Sequence, residues 1–183
     1  SALSVDDARD AFEAIRFAAP GGLGDADVYD VHAAEVSVTL LEAMRAAHDR
    51  DAVAREYATD FQVTFAIGHA ALRRFLEEGH RFSEAVVQTA LTILTRVPDT
   101  LIARKEGLVT ARAVSEQAAH VLEVGGAFSK EGREALEAFD HAIRDDEHRL
   151  NPGTTADLTT ASIFALLVEE DGLERFPGLL ARW

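Results

Sequence analysis

Apolar residues in this chain recur every three or four positions, and almost every such stripe is bounded by a capping residue, a proline or a glycine. Ser4-Val5-Asp6-Asp7 supplies an N-cap with acids in the first turn, and Ala8, Ala11, Phe12, Ile15 and Ala19 keep helical spacing up to Pro20. Val36, Leu40, Leu41, Met44 and Ala47 form the next stripe, predicting a helix over 35–47. Asp49 or Asp51 then caps a segment through Val53, Ala54 and Tyr57, interrupted or bent near Thr59-Asp60. It continues through Phe61, Phe65, Ala66, Ala70, Leu72, Phe75 and Leu76 to Gly79. Ser83 is placed to cap 84–95, Asp99 a short helix after Pro98, and Ser129 the segment 130–144. Between these, Val109, Ala113, Ala118, Val121 and Leu122 run to Gly125-Gly126, and a last helix over 159–169 closes at Asp171-Gly172. Phe176-Pro177 and Trp183 mark a short tail. β-Branched residues sit inside these stripes rather than in period-two runs, so strands are not expected. The pattern predicts an all-α chain: a single-domain antiparallel multi-helix array of about seven or eight helices over residues 1–183.

Charge narrows the partners. The chain has 32 acidic against 18 basic residues, a formal charge of −14, and of the basic residues only Lys105 and Lys130 are lysines. An acidic field of this size repels nucleic acid and anionic membranes. The balance, rich in Asp and Glu and poor in Lys, also fits a high-salt, halophilic archaeal cytoplasm. No cysteine is present, which removes disulfides, thiolate nucleophiles and cysteine zinc sites. The longest apolar run, 161–168, is too short to span a bilayer, and the N-terminus lacks a basic-then-apolar signal, so a cytoplasmic protein is expected.

Two stretches carry chemistry. In Asn151-Pro152-Gly153-Thr154-Thr155-Ala156-Asp157-Leu158, Pro152 and Gly153 break the preceding helix, Thr154 or Thr155 offers a hydroxyl N-cap, and Asp157 stands where a capping-box acid would lie if Thr154 is the cap. The same small residues before free amides at a positive helix end suit an anion or phosphate. A cap and an anion site are both compatible with the pattern. In Pro98 to Gly107, Asp99 opens a helix and Arg104 with Lys105 follows about one turn on, a divalent-cation ligand and phosphate partners respectively, or a cap and surface charges. His141, Asp145 and His148 fall at i, i+4 and i+7 and would make a metal-competent face if the helix persisted that far; a solvated helix end is the plainer reading. Asp30 and Glu35, flanking His32 after the loop Pro20-Gly21-Gly22-Leu23-Gly24-Asp25, and Asp157 are candidate bases.

Taken together, the stretches at 151–158 and 98–107 resemble, in order and spacing, the C-terminal part of the triphosphoribosyl-dephospho-CoA synthase family, specifically its archaeal branch. Pro152, Gly153, Ala156, Asp157, Leu158, Asp99 and Arg104 match the family's motifs. The resemblance implies an all-α transferase that moves a 5′-triphosphoribosyl group from ATP to 3′-dephospho-CoA with release of adenine, using Mg²⁺. Together with the local pattern it points to Asp157 and Asp99 as catalytic or Mg²⁺-binding candidates, and to Arg104 and Gly153, with Lys105, Thr154 and Thr155 beside them, as substrate-binding residues. A non-catalytic helical domain that binds a nucleotide or partner, and a transferase for another cofactor precursor, stay open. So do a missing N-terminal region and a homo-oligomer.

Overall fold

The computed structural model describes residues 3–19, 26–33, 35–144 and 146–169. All regular structure among them is helical, as the spacing predicts; there are nine α-helices, against about seven or eight expected, with one π-helical segment and one 3₁₀ turn. The glycine loop at 20–25, Asp145, the closing Asp171-Gly172 and the tail with Phe176, Pro177 and Trp183 lie outside the described residues. By their contacts the helices gather into two compact units, with the chain passing from one to the other between Phe61 and Gln62.

In the first unit α1 spans Val5–Ala18, α2 Leu40–Ala47 and α3 Ala52–Ala58. Ser4 and Asp7 close a capping box on α1, Thr39 and Glu42 close one on α2, and Asp51 caps α3 through the amides of Val53 and Ala54. The expected helix start at residue 35 is therefore five residues too early, because the Thr39 box fixes where α2 begins. Val36 is buried all the same, packed with Ala8, Phe12 and Ala43. After α3 the chain turns sharply: Asp60 and Phe61 both have positive φ, 54° and 60°, which ends the helix where Thr59-Asp60 predicts a break.

In the second unit a helix resumes at residue 62 and widens into a π-helical segment over Thr64–His69 before α4, Ala70–Glu77. α5 spans Phe82–Arg96, α6 Thr100–Glu106, α7 Leu108–Glu123, α8 Lys130–Ile143 and α9 Gly153–Val168, with a 3₁₀ turn at Gly126–Phe128. Ser83 is not the cap of α5; the helix starts at Phe82 after an extended Arg81 that makes no side-chain cap bond. One core joins Leu91 and Leu94 of α5, Ile102 of α6, Val114 and Val121 of α7, and Phe139 of α8. A second joins Leu72 and Phe75 of α4, Ala85 of α5 and Leu166 of α9. Full burial of each such Leu, Val or Phe is worth about 1.5–3 kcal/mol.

α9 packs on α5 and on the π-helical segment, and its buried face is unusual: Thr154, Thr155, Thr159 and Ser162 alternate with Leu158, Ala165 and Leu166. The hydroxyls of Thr159 and Ser162 bond carbonyls one turn back, so these positions stay small and satisfied while backbones approach. A Cβ on Gly68 would lie 2.0 Å from Ser162 Oγ, which shows how tightly the π-helical segment is laid on α9. At the far end of α9, His69 Nε2 lies 2.6 Å from Glu169 Oε1, an ion-pair distance without hydrogen-bond alignment.

Candidate functional site

The site grows from two helix starts. Val97, extended before Pro98, ends α5, since a residue preceding proline is pushed out of the helical region. Asp99 then caps α6, its Oδ1 accepting from the amides of Leu101 at 2.9 Å and Ile102 at 3.1 Å. The other start is built differently. Pro152, at φ −79° and ψ 64°, is the centre of an inverse γ-turn in which the Gly153 amide donates to Asn151 O at 2.8 Å.

The hydroxyl cap expected at Thr154 or Thr155, with Asp157 as its capping-box acid, does not form. Pro152 is the N-cap residue and no side chain of the segment caps α9. The cap comes from across the fold: Asp99 Oδ2 accepts from the Thr155 amide at 2.7 Å and from Thr155 Oγ1 at 2.8 Å. One carboxylate, 1% exposed, thus caps both helices. Its four acceptor positions are met by four donors, and the positive ends of two helix dipoles converge on its charge.

From this buried pole a seam runs outward along α6. Thr100 and Thr154 meet through their hydroxyls at 3.1 Å. Leu101 lies so close to Gly153 that a Cβ there would come within 2.6 Å of Leu Cδ2. One turn on, Lys105 donates to the carbonyl of His148 at 3.0 Å, tying α6 to the loop that precedes the proline. Arg104 is half-buried in the last turn of α6, and Gly107, at φ 88° and ψ 157°, ends α6 and opens α7. Asp157 is exposed in the second turn of α9, and Asn151 is exposed ahead of Pro152.

The two stretches singled out in the sequence are therefore one place in the structure. Thr154 and Thr155 are buried in the seam, at 4% and 3% exposure, and the Thr155 amide is already engaged. Asp99 does not fit a magnesium ligand, because neither oxygen has a position left for a cation. The histidine face is not formed: α8 ends at Ile143, Arg144 is extended, and His148 lies outside the helix at φ 52°. Among the described residues no group of three His, Asp or Glu side chains is placed to hold a metal ion. Asp30 is held below the usual carboxylate range by the amides of His32 and Ala26, so it is a turn residue engaged with backbone. The parts of Thr100 and of the His148 carbonyl were not visible in the sequence, where nothing marks a group whose partner lies 54 or 43 positions away.

Residues 1–176 match the family model for ATP:dephospho-CoA triphosphoribosyl transferase. The chain belongs to that family. The match extends beyond the two motifs to nearly the whole chain. Among curated members of the transferase family, the probable 2-(5″-triphosphoribosyl)-3′-dephosphocoenzyme-A synthase of Pseudomonas savastanoi pv. phaseolicola is 32% identical over 111 residues, 61% of this chain and 36% of that protein. The protein of the same name from Pseudomonas fluorescens is 30% identical over 117 residues, 63% of this chain and 40% of the relative. The one from Malonomonas rubra is 30% identical over 101 residues, 55% and 31%. Across these three the chain spans between 31% and 40% of the relative's length. No solved structure matches. Membership assigns a transferase family that works on ATP and a CoA precursor. No helix among the described residues is long and apolar enough to cross a membrane.

Proposed function

We propose that this chain is the part of a triphosphoribosyl-dephospho-CoA synthase that grips the triphosphate of ATP, and that the whole protein transfers the 5′-triphosphoribosyl group to 3′-dephospho-CoA. In that reaction the glycosidic C1′–N bond of ATP breaks, adenine leaves with a proton, and an acceptor hydroxyl of dephospho-CoA loses its proton as its oxygen bonds C1′. The observation that carries the reading is the seam: Arg104, Lys105, Gly153 and Asp157 stand on two elements fixed to each other by a buried carboxylate. A triphosphate needs a preorganised set of donors and cations, since groups that must first be ordered lose their advantage at the moment of reaction.

Arg104 and Lys105 offer the cationic side chains, Gly153 allows close approach, and Thr154 and Thr155 shape the wall behind it. Asp157 is the exposed carboxylate of the pair first assigned to Mg²⁺, and it takes either that role or the base's. The archaeal branch and the position of the chain as a C-terminal portion belong to this same proposal. Titration calorimetry with ATP and Mg²⁺ tests it. Arg104→Ala is expected to weaken binding by roughly tenfold to a hundredfold, the loss of about 1.5–3 kcal/mol from a charged hydrogen bond. Asp157→Ala is expected to alter the Mg²⁺ dependence. Unchanged affinity in both variants removes the phosphate site.

A second reading, a helical domain that binds the nucleotide or a partner without turnover, has one observation behind it: the chain spans well under half of its curated relatives' length. Adenine release with dephospho-CoA present separates the two. ATP binding with no adenine released favours the second, and release with a different acceptor favours a related cofactor precursor.

A further inference from the structure

The resemblance implies Asp99 as a catalytic or Mg²⁺-binding candidate, and the structure assigns it another part. We propose that Asp99 is a positioning residue whose carboxylate is the shared cap of α6 and α9, fixing the two elements of the candidate site in register. Each oxygen is committed to a different helix: Oδ1 to the amides of Leu101 and Ile102, Oδ2 to the amide and hydroxyl of Thr155. The group is buried to 1% exposure, so it is out of reach of a solvated cation. Its charge is offset where it lies, by four donors and two helix N-termini. A carboxylate is rigid and planar, so two helices bonded to its two oxygens cannot slide past one another without breaking a charge-assisted hydrogen bond. The flanking Thr100–Thr154 pair and the close packing of Leu101 on Gly153 follow from that register, and so does the place of Arg104 relative to Gly153.

The cap stands without any statement about activity; its bearing on ligand binding rests on the transferase reading. Asp99→Asn keeps the shape and one acceptor but opposes an amide NH₂ to the Thr155 N–H. Residue-resolved hydrogen exchange on the full chain should show the amide at 155 exchanging roughly tenfold faster or more, as expected for loss of a buried charge-assisted bond. Binding of ATP with Mn²⁺ in place of Mg²⁺, followed by the spectrum of bound Mn²⁺, should keep the metal's coordination signature while ATP affinity falls by about tenfold. Gln88→Leu is the control. It removes a buried bond to the Ala127 amide away from the seam, so it lowers stability yet should leave ATP affinity unchanged.

Should Asp99→Asn fail to fold, Thr155→Val keeps the carboxylate and removes one of its four donors. It is expected to speed exchange at 155 and at Leu101 and Ile102 together, because the two helix starts share the cap. Exchange unchanged in both variants overturns the proposal, as does loss of Mn²⁺ binding in Asp99→Asn with exchange at 155 intact. If the unaltered chain binds no ATP, the transferase reading falls and the exchange result still decides the cap.

Discussion

Gly107 stands between α6 and α7 with φ 88° and ψ 157°, a region open to glycine and closed to L side chains. A Cβ there would meet nothing within 4 Å, so the demand is one of backbone conformation alone. Gly107→Ala is therefore expected to lower unfolding free energy by about 1–3 kcal/mol with no change in packing, read from chemical denaturation. At this scale the sequence was readable wherever a residue serves its own neighbours. Ser4, Asp51, Asp99 and Ser129 all cap the helices their positions predict. It was unreadable at Thr154 and Asp157. There a sequence-local box was available, and a carboxylate 56 residues upstream displaced it. The geometry of Pro152 explains the outcome: its γ-turn bonds Gly153 back to Asn151 and carries the threonines inside the helix, where their hydroxyls face α6 rather than the free end.

Among the elements, α1 and α2 each start from a capping box closed by a carboxylate. Asp7 is held below the usual carboxylate range by the Ser4 hydroxyl and amide, and Glu42 by the Thr39 amide and hydroxyl. Each folded-state value is depressed, so each cap adds stability above the ordinary carboxylate pKa and loses it as pH falls through the lower, folded value. Circular dichroism and amide exchange in α1 and α2 should accordingly show loosening below roughly pH 4. Asp7→Asn with Glu42→Gln should flatten that acid limb. These elements were visible in the sequence as stripes plus caps, whereas the π-helical widening over Thr64–His69 was not. It answers a tertiary demand: Gly68 lies against Ser162, whose hydroxyl also reaches toward the Thr64 carbonyl at 3.4 Å. Helical spacing alone carries no sign of one extra residue in a turn.

Over the whole molecule, a charge of −14 works against compaction at low ionic strength. Raising KCl from about 0.01 M to about 1 M shortens the screening length from about 30 Å to about 3 Å, and the thermal midpoint is expected to rise with it. A midpoint that stays flat or falls would leave the high-salt expectation without support. The class of the chain and the two stretches that form the seam were both legible because periodicity and short motifs survive in a single sequence. Their union was not, since it rests on the Asp99–Thr155 bond, whose partners are 56 positions apart with α7 and α8 between them in the sequence. That arrangement has a consequence for the order of assembly. The bond from Asp99 to Thr155 closes a 56-residue loop that contains both of those helices. Such a closure is entropically costly until the intervening helices have shortened the span. The seam is thereby a late-forming joint, and its integrity reports on the completed fold of this unit rather than on either motif alone.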